Sequence, residues 1–217
     1  MSESNHVHYY SPEEERLNIL THGLGLLLSI AALPLLIVHA VQYGDAWHVV
    51  SCAIYGSTLI ILYGASTLYH SSKTDKWRRR LNILDHAAIF TLIAGTYTPF
   101  VLVTLNGPVG WVIFGITWGI AVAGVILKLF FTGRYDRAST ILYVAMGWII
   151  VFAAKPLVDS FPIPGLIWLL AGGVSYTLGA VFYQYKSVRF NHAIFHVFVL
   201  IGSACHFVAV YWYVIRG

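Results

Sequence analysis

The chain has 217 residues, 58% hydrophobic and 10% charged, with 13 Lys and Arg against 9 Asp and Glu. A soluble domain carries about a quarter of its residues as Asp, Glu, Lys and Arg because its surface faces water. At a mean hydropathy of +0.73 this composition excludes a soluble globule, a coiled coil, a disordered tail and a collagen; the 10 histidines, more numerous than the acids, are its anomaly.

A helix that crosses a bilayer needs about 20 apolar residues. Seven such stretches follow one another, at about residues 19–43, 48–69, 83–105, 109–131, 140–156, 163–185 and 192–215. The first is preceded by Glu13, Glu14 and Glu15 instead of a basic segment, and it is too long for the apolar core of a signal peptide. It is therefore a retained span, which leaves residues 1–15 as a short N-terminal segment and 16–217 as a single seven-helix transmembrane bundle. The fifth stretch is the shortest and has Lys155 near its end, where an ammonium group can reach the interface. Cys52 and Cys205 are isolated in apolar surroundings and read as small buried side chains.

Placement of the basic residues orients the bundle. With seven spans, eleven of them (Arg16, Lys73, Lys76, Arg78, Arg79, Arg80, Lys128, Arg134, Arg137, Lys186 and Arg189) fall on one side and two, Lys155 and Arg216, on the other. The N-terminus is expected in the cytoplasm and the C-terminus outside. The excess base then reports topology, and no nucleic-acid partner is expected. Trp47, Trp111, Trp168, Tyr211, Trp212 and Tyr213 sit near the outer ends and Trp77 in the inner loop between the second and third spans, as interfacial aromatics do. Pro34 and Pro99 lie inside spans and predict kinks.

Ionisable groups within spans are expensive, and each is by default a functional candidate. Glu15, Asn18 and His22 form one stripe on the first helix; Ser66 and His70 close the second; Asn82, Asp85 and His86 open the third; His192 and His196 open the seventh, with His206 deeper. Because the second helix runs inward and the third and seventh run outward, these groups, His206 apart, share the cytoplasmic half. Two histidines at i, i+4 lie on one helix face about 6 Å apart along the axis and can reach one ion. A third histidine from another helix would complete three protein ligands, and three histidines plus water is the open, catalytic form of a zinc site. Zinc is favoured because the site is rich in nitrogen and poor in thiolate. His22, His86 and His206 read as supporting hydrogen-bond donors or as interhelical contacts, while His6, His8, His39 and His48 lie outside the bundle interior and are expected to take no part.

The GluArgLeuAsnIleLeuThrHisGly segment from Glu15, the SerThrLeuTyrHis run ending at His70, LeuAsnIleLeuAspHis from Leu81 and AsnHisAlaIlePheHis from Asn191 together resemble the hemolysin III family, the bacterial branch of the progestin and adipoQ receptor (PAQR) family that includes the adiponectin receptors. The resemblance implies seven helices with the N-terminus inside, in a bacterial plasma membrane, and a zinc ion near the cytoplasmic face. It implies His70, His192 and His196 as ligands, Asp85 beside the zinc-bound water and Ser66 next to the site. The related superfamily contains alkaline ceramidases, so the expected activity is zinc-dependent hydrolysis of a lipid amide drawn from the membrane. In that reaction Asp85 orients or deprotonates water, and Ser66 donates to the developing oxyanion. The alternative is a non-enzymatic cytolysin or membrane-homeostasis protein with a structural zinc, although no helix carries the polar stripe of a water-filled pore. The seventh stretch contains no lysine, which excludes a retinal Schiff base, and the inward N-terminus excludes a G-protein-coupled receptor.

Overall fold

A computed structural model describes residues 9–217; His6 and His8 lie outside the described residues. Seven helices are long and apolar enough to cross a membrane: α1 Pro12–Tyr43, α2 Ala46–Ser71, α3 Asp75–Thr104, α4 Pro108–Phe131, α5 Asp136–Ser160, α6 Ile163–Gln184 and α7 Asn191–Val214. No strand occurs among the described residues. The architecture is thus the expected all-α bundle.

Several helices run past the apolar stretches because polar turns at their ends stay helical, with a side-chain cap in α1 and α2. In α1, Ser11 accepts the Glu14 N–H and Pro12 sits in the first turn, where its missing donor costs nothing. Glu13, Glu14 and Glu15 are therefore helical residues of the bundle and do not precede it. In α3 the charged turn from Asp75 extends the helix beyond Ile83, and Trp77, expected in a loop, lies on its exposed first turn. Asp45 accepts the Trp47 and His48 N–H groups at the start of α2, and its hydrogen bond with His48 holds its carboxyl below the usual range. His48 is a capping residue.

The fifth span runs from Asp136 to Ser160, not 140–156, and it is broken. An α-helix to Gly147 gives way to a 3₁₀ turn over Ile149–Ala153, and a new helix starts at Ala154 with Pro156 in its first turn. Proline at that position cannot donate to a carbonyl four residues earlier, so the chain restarts where no donor is required. Backbone groups freed within a bilayer must find partners, and Tyr97 supplies them. Its hydroxyl lies 3.0 Å from the Met146 carbonyl and 2.8 Å from that of Gly147, and it accepts the Ile150 N–H at 3.0 Å. Pro99 is followed by a π-helical turn, Phe100–Thr104, in which the Leu105 N–H reaches the Phe100 carbonyl.

The helices are not equally buried. α1 packs on α2, α2 on α3 and α6 on α7, and α1 also meets α7. Within their most apolar windows α3 is 72% buried, α2 56% and α7 50%, against 17% for α5. The inner helices α2, α3 and α7 are those that carry Ser66, His70, Asp85, His192 and His196. Towards the opposite end His39 is also buried, stacked on Tyr211 at 4.1 Å and accepting the Arg216 Nε–H at 3.1 Å. Its role is to hold the C-terminal end of α7 against α1. Cys52 and Cys205 are free and buried.

Candidate metal centre

His70, His192 and His196 are each at least 95% buried, and one ring nitrogen from each lies within 4.8 Å of the others. His70 comes from the last turn of α2, His192 and His196 from the first turns of α7, so an ion here would join two helices distant in the chain.

Hydrogen bonds around the rings select their tautomers. His70 Nδ1–H donates to Glu15 Oε2 at 2.7 Å, which leaves its Nε2 with a lone pair. That Nε2 lies 3.2 Å from His192 Nε2. A tetrahedral ion with metal–nitrogen bonds of about 2.0–2.1 Å separates its nitrogens by about 3.3–3.4 Å, so the observed pair matches one edge of such a site. The Thr21 hydroxyl donates to Leu17 O at 2.8 Å and can accept from His196 Nδ1 at 3.4 Å, which again leaves an Nε2 lone pair. His192 Nδ1 is buried without a hydrogen-bond partner. Three buried imidazoles with two lone pairs fixed by outer hydrogen bonds fit a borderline cation such as zinc. The group can hold a metal ion.

The first turn of α1 supplies the surrounding shell. Glu15 bridges His70 and Arg78, whose guanidinium contacts Glu15 Oε1. Arg78 is 1% exposed, donates to the Tyr69 and Ser72 carbonyls at 3.3 Å, and stacks over Tyr69. It thus offsets the cost of a carboxylate close to the membrane interior. Asn18 Nδ2 lies 3.4 Å from His70 Nδ1. Glu14 accepts the His192 backbone N–H at 3.1 Å. Because Phe190 precedes α7 in the left-handed conformation with no side-chain cap, this carboxylate from α1 serves as the N-terminal cap. Tyr10 covers the cluster, its ring stacked on His192 at 4.5 Å. Burial, with neighbouring tyrosines and acids, pushes its hydroxyl well above the usual phenol value, so it is a neutral cover at physiological pH.

Replacing Glu15 by Gln removes the charge that orients His70 and leaves Arg78 without its counter-charge. The expected outcome is metal affinity weaker by about 10–100-fold, measured by competition with a chelator of known affinity.

A cavity of about 150 Å³ adjoins the cluster, lined there by His22, Ser66, Asp85, His86, Tyr143 and Tyr183. It shares Tyr97, Trp148 and His206 with a second, apolar cavity of about 260 Å³ among Leu157, Leu166, Leu169 and Leu170. Asp85 is 8% exposed. Ser66 is fully buried, and its Oγ has no hydrogen-bond partner. The other candidates separate by position. His86 donates Nδ1–H to the Asn82 carbonyl at 2.9 Å and lines the cavity, whereas Asn82 Nδ2 donates to the Tyr69 hydroxyl. His206 lies deeper, with Nε2–H donated to Leu169 O at 3.1 Å. Its ring occupies space that any side chain at Gly172 would fill, so it belongs to the far part of the cavity and not to the metal group.

Sequence reasoning missed Glu14, Arg78 and Tyr10. Arg78 is one of three consecutive arginines, and only its burial against Glu15, Tyr69 and the Ser72 carbonyl separates it from the exposed Arg79 and Arg80.

The family model described as Haemolysin-III related matches residues 10–207. "Hemolysin-3" of Bacillus cereus is 49% identical over 203 residues, covering 94% of this chain and 93% of that protein. "Hemolysin-3 homolog" of Bacillus subtilis (strain 168) is 45% identical over 207 residues, 95% and 97% of the two chains. The human "Monocyte to macrophage differentiation factor" is 28% identical over 210 residues, 94% of this chain and 86% of the relative. Seven apolar helices, a three-histidine cluster joining the second helix to the seventh, and a match over nearly the whole length make this multi-pass membrane protein a member of the haemolysin-III-related family.

Proposed function

We propose that the protein is a zinc-dependent hydrolase of a lipid amide, with its site on the cytoplasmic side of a bacterial plasma membrane. The observation that carries this reading is that His192 and His196 of the three-histidine cluster line the same cavity as Asp85 and Ser66, and that this cavity adjoins a second, apolar one. The cytoplasmic assignment rests on the uneven distribution of basic residues.

His70, His192 and His196 would hold the zinc, which when bound would supply a water acidified to a pKa of about 7 and a Lewis acid for the amide carbonyl. The chain's own residues do the rest. Asp85 accepts the proton of the attacking water as its oxygen bonds to the carbonyl carbon, and later returns it to the departing amine nitrogen as the C–N bond breaks. Ser66 Oγ–H, which has no other partner, donates to the carbonyl oxygen as it gains negative charge. The apolar second cavity takes the acyl chain, and removal from bulk water strengthens each of these interactions.

A second reading draws on the name of the Bacillus cereus relative, a hemolysin: the metal would only tie α2 to α7 in a membrane-permeabilising protein. One experiment separates the two. Purified zinc-loaded protein is reconstituted into liposomes that contain a fluorescent ceramide-like amide and a trapped dye. Fatty-acid release that stops when the zinc is chelated, without dye leakage, is the expected result. Leakage without release would favour the lytic reading and defeat the hydrolase.

A further inference from the structure

His22 is the innermost residue of the α1 stripe, and both of its ring nitrogens are buried without a hydrogen bond. Glu15, two turns earlier, accepts from His70, and Asn18, one turn earlier, lies 3.4 Å from the same ring nitrogen; His22 continues that line into the cavity. It is 2% exposed. A buried polar group left unpaired is costly, and an imidazole at this position gains a partner from a polar group that enters the cavity it lines. Ser66, fully buried with its Oγ equally unpaired, lines the same cavity.

Its orientation indicates what the ligand is. The His22 ring is stacked on His196 with centroids 3.4 Å apart and planes 9° from parallel, and it meets the Tyr63 ring edge to face at 5.0 Å. Imidazole binds a metal in the plane of its ring. An ion held by His196 would therefore share the His196 plane, and His22, stacked 3.4 Å from that ring, would be too far for a metal–nitrogen bond of about 2.1 Å. An atom bound on the side of the ion that faces His22 approaches the plane in which its N–H points. His22 is thus out of place as a fourth ligand and well placed to contact whatever occupies the open position.

We propose that His22 and Ser66 form a two-donor pocket for an acyl oxygen, carbonyl or oxyanion, bound next to the three-histidine metal position, so that His22 is a ligand-binding residue contributed by α1. The inference rests on the metal reading of that group but not on amide hydrolysis. It assigns the first helix a direct part in binding, in addition to the support that Glu14 and Glu15 give.

The test uses the full chain in detergent, loaded with cobalt(II) and titrated with acetohydroxamate, whose oxygens mimic the acyl group; visible absorption of the cobalt reports binding. His22→Phe keeps the stacked ring and removes both nitrogens, and Ser66→Ala removes one buried oxygen with little loss of packing. Each variant is expected to retain the wild-type cobalt content and to bind acetohydroxamate about tenfold more weakly or worse, the loss of one hydrogen bond to a charged group. His22→Gln, which restores a donor, is expected to recover part of that loss. Wild-type affinity in either His22→Phe or Ser66→Ala overturns the pocket, and loss of cobalt in His22→Phe shows instead that His22 holds the metal. Should His22→Phe fail to fold, Ser66→Ala and His22→Gln still decide: the pocket falls if Ser66→Ala binds as wild type. A wild-type chain that takes up no cobalt overturns this inference together with the metal site. Tight acetohydroxamate binding without amide turnover removes only the hydrolase.

Discussion

Replacing both His192 and His196 by alanine is expected to reduce bound metal from about one ion per chain to under about a tenth, as measured by elemental analysis of protein purified without chelator. The double replacement leaves His70 alone among the clustered ligands, and a single imidazole does not retain a divalent ion through purification. His22 cannot substitute, because its ring lies parallel to and alongside His196 rather than facing the shared point. The fold is expected to survive, since the cap on α7 comes from Glu14 to the His192 backbone N–H, which alanine keeps. Helical content by circular dichroism should therefore match the wild type while the melting temperature falls. Metal retained at one ion per chain in the double variant would show that the ion sits elsewhere.

The second large effect is on turnover. Asp85→Asn is expected to lower release of fatty acid from a ceramide-like amide by about 10²–10⁴-fold, the range for removal of a positioned general base, with metal content unchanged. Asparagine has nearly the same shape and leaves the three histidines untouched, so the loss separates proton transfer from metal binding. Asp85 is not part of the clustered ligand set, and it lines the cavity on the side of Ser66 and His86. An unchanged rate would remove Asp85 from the mechanism. Parallel loss of metal and rate would make it part of the metal's support instead of a base.

Hydropathy located every span because partition of a segment into a bilayer depends on that segment alone. It misplaced ends such as Pro12, Asp75 and Asp136 because polar turns continue the helix past its apolar segment, capped by Ser11 in α1 and opened by an aspartate in the first turn of α3 and α5. The break in α5 was only partly legible. Pro156 is visible in the chain, but the break begins at Gly147, and the Tyr97 hydroxyl that satisfies the groups freed there meets Ile150 from 53 positions away.

For the site, the i, i+4 pair His192 and His196 and the common depth of Ser66, His70 and Asp85 could be read in the chain, because helical periodicity and span direction determine face and level. The shell could not. Glu15 meets His70 across 55 residues and Arg78 across 63, and Glu14 meets His192 across 178. Nothing local distinguishes Glu14 from Glu13, whose carboxylate ends in an exposed pair with Arg189, or Arg78 from its neighbours. A seven-span membrane bundle, its basic asymmetry and a histidine-rich level within it follow from solvent preference and periodicity along one strand of chain. Only the tertiary structure decided which of those polar groups meet, which face an apolar cavity, and which remain unpaired, because those outcomes depend on how helices distant in sequence pack against one another.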